Sequence, residues 1–466
     1  MAPRTRGRTA SAGPATELVP SSFKADLLFH EKRSTLTLSR RDGVTHPPLL
    51  LEESGCRVSG AAGDRLFAVV LDEPGPAALR LAAGPLAEAL AEPAAISESS
   101  ARERASRWID PVLAVFDRWT GDLSAGRAPE GTEIAGARMD ATIVLARVAA
   151  ARSRDGAPFI ATRDLRASAE GRCAVTLRVG DRSLTIEASR WADPLADPPS
   201  SVLPGWHDAA AEALRRGLDL LDAVPPPAME APALFGPAAS GILLHEICGH
   251  LLEADLVVSG VSPFARLLGE RVASDRLTLV DDPRMPGARV RCLMDDEGRE
   301  TRAAVLIEAG VLRGFLSDDG TAAATAGLSA ASARRESYRC ASLPRMTNLS
   351  ASGGDQDPSD LMKPIARGLL VERLGRGQVD PHRGEFRLEV EAGRLIESGR
   401  PGRPVAGAFL VGSCRDLLRS IDGVGSDARI DTGAGSCIKD DQIVPVGQAA
   451  PSLRVAKVRV LPGVGP

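Results

Sequence analysis

Apolar and polar positions alternate along much of the 466-residue chain, the period of a half-buried strand. Leu36 and Leu38 alternate with hydroxyls in Ser34 to Leu38, and strand character continues from Arg57 to Leu71 around a turn at Gly63-Asp64. Met139 to Ala149 and Phe159-Ile160 also read as strands. Cys173 to Val179 and Arg182 to Glu187 read as a hairpin across Gly180-Asp181, with Val175, Leu177, Leu184 and Ile186 on one face. Helical spacing marks Pro76 to Leu90, split at Gly84-Pro85, and Ser97 to Asp117, restarted at Pro111. It also marks Asp208 to Ala223, where Leu214, Leu218 and Leu221 share a face. After Asp255 strands and turns dominate. Arg289 to Met294 reads as a strand, Glu308-Ala-Gly310 joins a hairpin, Phe386, Leu388 and Val390 alternate with charges, and Leu453 to Leu461 is β-rich.

The fold class expected is α+β: mixed N-terminal α/β layers followed by a largely β C-terminal domain. Four segments follow: a disordered tail over 1–22, an α+β domain over 23–95, a middle α+β domain over 96–205, and a C-terminal domain over 206–466. The last boundary lies at the Pro- and Asp-rich stretch from Asp193 to Pro204.

Composition narrows the function. A hydrophobic content of 44% with 25% charged residues is that of a soluble globular protein. The formal net charge is −4 with acids and bases interspersed, which argues against a nucleic-acid partner. No apolar run reaches the roughly 20 residues that span a bilayer. The seven cysteines are scattered with no Cys-x-x-Cys pair, so a reducing, cytoplasmic location is expected. The Arg-, Ala- and Ser-rich start has no apolar core of a secretory signal.

Candidate chemistry concentrates in Gly241 to Asp255, where the largely apolar start of a buried helix runs into His245-Glu246-Ile-Cys-Gly-His250. Only six histidines occur in the chain, and two of them share this hexapeptide with a glutamate. Two imidazoles can hold zinc while the carboxylate takes a proton from the metal-bound water. The spacing is one residue longer than the usual zincin motif. On a regular helix, residues five apart diverge by about 140°, too far to share one ion. The helix is therefore expected to carry a π-bulge or to break near Gly249, whose dihedral freedom makes irregularity easy. The bland alternative is a straight core helix with satisfied histidines.

A catalytic zinc takes three protein ligands. Cys248, Glu253 and Cys437 compete for the third place, the last in a glycine-rich loop that lets backbone approach closely. Tyr338, the only tyrosine, lies in Arg334 to Asn348 among Arg, Thr and Asn donors that could orient a peptide. Tyr338 or Arg345 is a candidate for steadying an oxyanion. His30 and His46 stand alone and read as structural or surface residues.

These pieces resemble the TldD/PmbA family, on its motif-bearing TldD side. They are Gly241 to His250 with Leu252-Glu-Ala-Asp255, Arg334-Arg-Glu-Ser-Tyr338 with Pro344 to Asn348, Gly377-Gln-Val-Asp380, and Ala434-Gly-Ser-Cys437 with Pro445-Val-Gly447. The resemblance implies a zinc metallopeptidase with His245, His250 and Cys437 as ligands and Glu246 as acid/base. It also implies peptide substrates that are unfolded or small, and a homodimer or a heterodimer with a motif-lacking paralogue. Two other functions compete: a non-catalytic subunit that shapes a partner's cleft, and a binding module with structural zinc.

Overall fold

The computed structural model describes residues 24–62, 65–72, 107–126, 129–152, 160–192, 203–324, 328, 330–433 and 435–463. The tail, the helix expected over Pro76 to Leu90 and the start of the one expected from Ser97 lie outside these residues. Among the described residues, no helix is long and apolar enough to cross a membrane.

Long antiparallel strands build the N-terminal half. Their order is Arg65–Asp72, Leu49–Ala62, Lys24–Arg41, Thr132–Arg152, Ile160–Val179 and Arg182–Ala192, with the short Val44–Thr45 beside Lys24–Arg41. Lys24–Arg41 pairs with Leu49–Ala62 on one side and Thr132–Arg152 on the other. The segments drawn on either side of residue 95 thus contribute to one sheet. The hairpin turns at Gly180-Asp181, with Val179 opposite Arg182 and Gly180 at φ 57°. Helices Ile109–Ala125 and Ala209–Leu221 cover one face of this sheet. Val112, Phe116, Trp119 and Leu214 pack there against Leu36, Leu38, Met139 and Val175. Pro111 sits in the first turn, where an amide hydrogen has no helical acceptor to lose.

The C-terminal half contains a closed barrel. Arg367–Asp380, Met229–Phe235, Leu453–Pro462, Ala408–Ser413 and Glu385–Glu397 pair in that order. Glu385–Glu397 then pairs with Arg367–Asp380 and closes the ring, which leaves no open edge among these five strands. Leu388 and Val390, part of the expected alternation, are fully buried. A second sheet runs Val311–Leu312, Ala304–Glu308, Leu279–Asp281, Asn348–Ala351, Gln442–Ala450 and Arg429–Ile430, with Gly435–Lys439 also on Gln442–Ala450. The turn at Ala309-Gly310 joins its first two strands, both residues having positive φ as a primed turn requires.

Arg289 to Met294 is not a strand. Its amides find partners singly: Val290 donates to Asn348 Oδ1, Cys292 to the Pro283 carbonyl and Leu293 to Asp164 Oδ2. Apolar alternation there serves irregular packing against the N-terminal sheet.

Candidate metal centre

Helix Pro237–Leu244 follows directly from barrel strand Met229–Phe235. Pro237 opens it, and its residues are apolar on nearly every side, as a helix buried all round must be. It lies in a core shared by Leu369 and Val371 of the barrel and by Leu349, Val444 and Val446 of the second sheet.

At His245 the helix widens. Residues His245–Gly249 form one π turn, and the His250 amide donates to the His245 carbonyl, five residues back. A single 3-10 turn, His250–Leu252, then ends the helix at Glu253. The extra residue returns the fifth position to nearly the azimuth of the first, so both imidazoles face the same way. Their rings stand 4.8 Å apart, edge to face. The expected irregularity is present, but Gly249 serves it differently. Its φ of −53° and ψ of −56° are ordinary for any helical residue. What the site needs is its lack of a side chain, because a Cβ would lie 2.1 Å from Met346 Sδ.

Cys437 arrives from strand Gly435–Lys439. Its Sγ lies 3.4 Å from His250 Nε2, and the candidate ligand atoms of His245, His250 and Cys437 are all within 4.8 Å of one another. Around a tetrahedral zinc, sulfur and nitrogen ligands sit about 3.6 Å apart. A thiolate with two imidazoles is the donor set zinc prefers, so these residues fit the ion. Burial would push the Cys437 thiol up, but hydrogen bonds to His245 and His250 bring it down to about 5, so it is a thiolate at neutral pH. Burial would lower the His250 imidazole, and the Glu253 carboxylate together with Cys437 holds it well above its usual range. A bound cation would take the place of that proton.

The three candidates for the third ligand place differ in position. Cys248 faces the apolar core, where burial drives its pKa far up and keeps it a neutral thiol. Glu253 is fully buried and approaches the far nitrogen of His250, Nδ1, at 3.4 Å. Such a carboxylate fixes the ring so that Nε2 faces the cluster. Burial alone would raise Glu253, yet His250 and Lys439 hold it at about 2. Lys439 escaped the sequence reading. Its ammonium lies 2.8 Å from both Glu253 and Asp255, tying the strand of Cys437 to the end of the helix. Cys437 and Lys439 are two apart on a strand and so share a face, which was the available signal.

Glu246 is half-buried, and strand Arg367–Asp380 passes beside it. A Cβ on Gly377 would lie 3.6 Å from Glu246 Cγ, an ordinary contact, and 2.5 Å from Leu388 Cδ2, so it is Leu388 that a side chain at 377 would displace. Tyr338 lies away from the cluster, whereas Arg345 lies against the main chain of Cys437. The Tyr338 hydroxyl donates to Asp72, and its ring packs with Phe29, Val148, Ala150 and Met294 where the N-terminal sheet meets the C-terminal half. Arg345 is fully buried and donates to the main-chain carbonyls of Cys437, at 2.6 Å, and Gln442. It positions the backbone of Cys437, and neither contact set supports an oxyanion role.

The chain is similar to known proteins. Residues 228–461 match the family model for the PmbA/TldA metallopeptidase C-terminal domain. The Metalloprotease TldD homolog of Haemophilus influenzae is 37% identical over 251 residues, which are 54% of this chain and 52% of that protein. The Zinc metalloprotease TldD homolog of Saccharolobus solfataricus is 30% identical over 256 residues, 54% of this chain and 56% of that one. The chain thus spans about half the length of the curated relatives it matches. The crystal structure of TldE from Thermococcus kodakarensis shares the fold, with a TM-score of 0.70 at 18% identity over 94% of this chain and 97% of that chain. Half of the sequence, including the whole histidine and cysteine cluster, lies within the matched domain, and the chain belongs to the PmbA/TldD family.

Proposed function

We propose that the protein is a zinc-dependent peptidase acting on unfolded or short peptides. The observation that carries this reading is the convergence of His245, His250 and Cys437 beside Glu246 on one π turn. His245, His250 and Cys437 would hold zinc, which would supply a Lewis acid able to polarise a carbonyl and acidify a water. Glu246 accepts the proton of the attacking water and returns it to the leaving amine. Glu253 orients His250, and Lys439 keeps Glu253 ionised.

A structural zinc would be closed by a fourth protein ligand. Cys248 and Glu253 are the candidates for that place, and both are engaged elsewhere, which favours an open position. We further propose that the peptide binds by strand addition at a domain or subunit junction, in a dimer with a second copy or with a motif-lacking paralogue. The test is zinc content together with peptide turnover, for the wild type and for Glu246→Gln. The variant should keep zinc and lose turnover by about 10²-fold or more. Stoichiometric zinc in a wild type that cleaves no unfolded peptide, alone or with its native copurifying partner, would defeat the proposal.

A further inference from the structure

We infer that an arginine-lined cavity at the junction of the N-terminal sheet and the C-terminal half is a carboxylate subsite beside the metal centre. The inference rests on the peptidase reading only for the identity of its ligand, a carboxylate of a bound peptide.

The cavity measures about 170 Å³. Six arginines line it: Arg33, Arg166, Arg289, Arg291, Arg334 and Arg335, against the three acids Glu31, Asp296 and Glu336. Four more acids act on these arginines from outside the wall, Glu170 at Arg289, Asp164 at Arg166, and Asp295 and Glu297 near Arg335. Within the wall itself arginines outnumber acids. Arg334 and Arg335 are 7% and 6% exposed and, among the described residues, donate only to main-chain carbonyls, those of Met346, Pro445, Cys340 and Asp296. Carbonyls satisfy the donors but do not neutralise a charge, and among the described residues no carboxylate forms an ion pair with either guanidinium, though Asp296 lies near both. Nε of Arg289 and of Arg335 is buried without a hydrogen-bond partner among the described residues. Arg335 is held flat against Phe29, 4.4 Å from the ring centroid. At the rim, exposed Arg291 has no hydrogen bond or ion pair among the described residues.

Guanidinium forks match a carboxylate in a two-pronged geometry. The volume suits one small acidic group and is below that of ordinary cofactor sites. The cavity also adjoins the reacting centre. Val444 is in its wall and stands directly opposite Cys437 in the strand pairing. Side chains so paired share a face at about 5 Å. Arg289 donates to the Gly435 carbonyl, two residues before Cys437. A peptide lying at the metal therefore has this cavity within a few residues' reach, at about 3.4 Å per residue.

Calorimetry on zinc-loaded Glu246→Gln, which should hold peptides uncleaved, tests this. The probes are tetra-alanine as free acid and as C-terminal amide, and an amidated tetrapeptide with an internal aspartate or asparagine. At least one acid should bind about tenfold more tightly than its neutral twin, the scale of one or two charge-assisted hydrogen bonds. The pair that shows the preference tells whether the carboxylate is terminal or from a side chain. Arg291→Ala, an exposed change that removes no bond of the fold, should reduce the preference to about threefold or less, and Arg334→Met should abolish it. Equal binding of acid and neutral peptides, or a preference untouched by Arg291→Ala, would overturn the inference. Selective binding in a chain whose wild type never cleaves would refute the peptidase reading and leave the subsite standing.

Discussion

Replacing Gly249 with alanine separates two roles a glycine can play beside a ligand. The backbone there is helical, so Gly249→Ala should gain about 1 kcal/mol from helix propensity if conformation alone mattered. The surroundings oppose it. The new Cβ would lie 2.1 Å from Met346 Sδ, 3.0 Å from its Cε and 3.2 Å from Leu349 Cδ2. Met346 is fully buried, so its flexible side chain can yield only by repacking the core around it. Overpacking of this kind costs about 1–3 kcal/mol. The net effect is a loss of about 1 kcal/mol, with strain delivered to the residue preceding His250. In a Met346→Ala background only the milder 3.2 Å contact with Leu349 remains, and the same change should gain up to about 1 kcal/mol. Positions 249 and 346 should then couple by about 2 kcal/mol in a double-mutant cycle. Urea unfolding followed by circular dichroism gives the stabilities, and competition with a chelator gives zinc affinity. Affinity should fall in Gly249→Ala and return in the double variant. If Gly249→Ala alone stabilises the protein and binds zinc normally, the steric account of the π turn is wrong.

Other expectations concern single groups. Cys437→Ser should lose zinc or bind it far more weakly, whereas Cys248→Ser should keep zinc and lose about 1–3 kcal/mol of stability for a hydroxyl in an apolar core. Metal retention in the first and loss in the second would reverse the assignment. Glu253→Gln should weaken zinc about 10–100-fold without emptying the site, and an unchanged affinity would remove Glu253 from the account of His250. Burial raises Glu297 to about 7 although it accepts from the Asp319 amide and the Ser342 hydroxyl. The folded state therefore holds a proton that the unfolded state has released above about pH 4.5. Stability from this group is full below that pH and is lost as pH rises to about 7, by about 3 kcal/mol. Glu297→Gln should flatten this part of the pH profile, and an identical slope in both proteins would refute it.

Much of the fold could be read locally. Gly180-Asp181 and Ala309-Gly310 announced their hairpins, and the spacing of Leu214, Leu218 and Leu221 announced a helix. Helix irregularity followed from arithmetic, because histidines five apart on a regular helix cannot meet, though a break near Gly249 would have served as well as the π turn observed. Barrel closure was not legible. It depends on Arg367–Asp380 pairing with Met229–Phe235 on one edge and Glu385–Glu397 on the other, and the first of these pairings joins strands far apart in sequence. Arg289 to Met294 misled because alternation does not guarantee a neighbouring strand. Around Tyr338, arginine, tyrosine and threonine suggested catalytic donors, yet the same residue types serve a junction between domains, and Tyr338 bonds there to Asp72. Lys439 was missed because its partners, Glu253 and Asp255, lie more than 180 residues away.

X-ray absorption at the zinc edge of the purified protein tests the three-ligand centre most directly. The account predicts one sulfur at about 2.3 Å, two imidazole nitrogens at about 2.0–2.1 Å and at least one light, exchangeable ligand, with the sulfur shell gone in Cys437→Ser. Two sulfurs, a shell closed by four protein ligands, or a zinc–sulfur distance that survives in Cys437→Ser would contradict it.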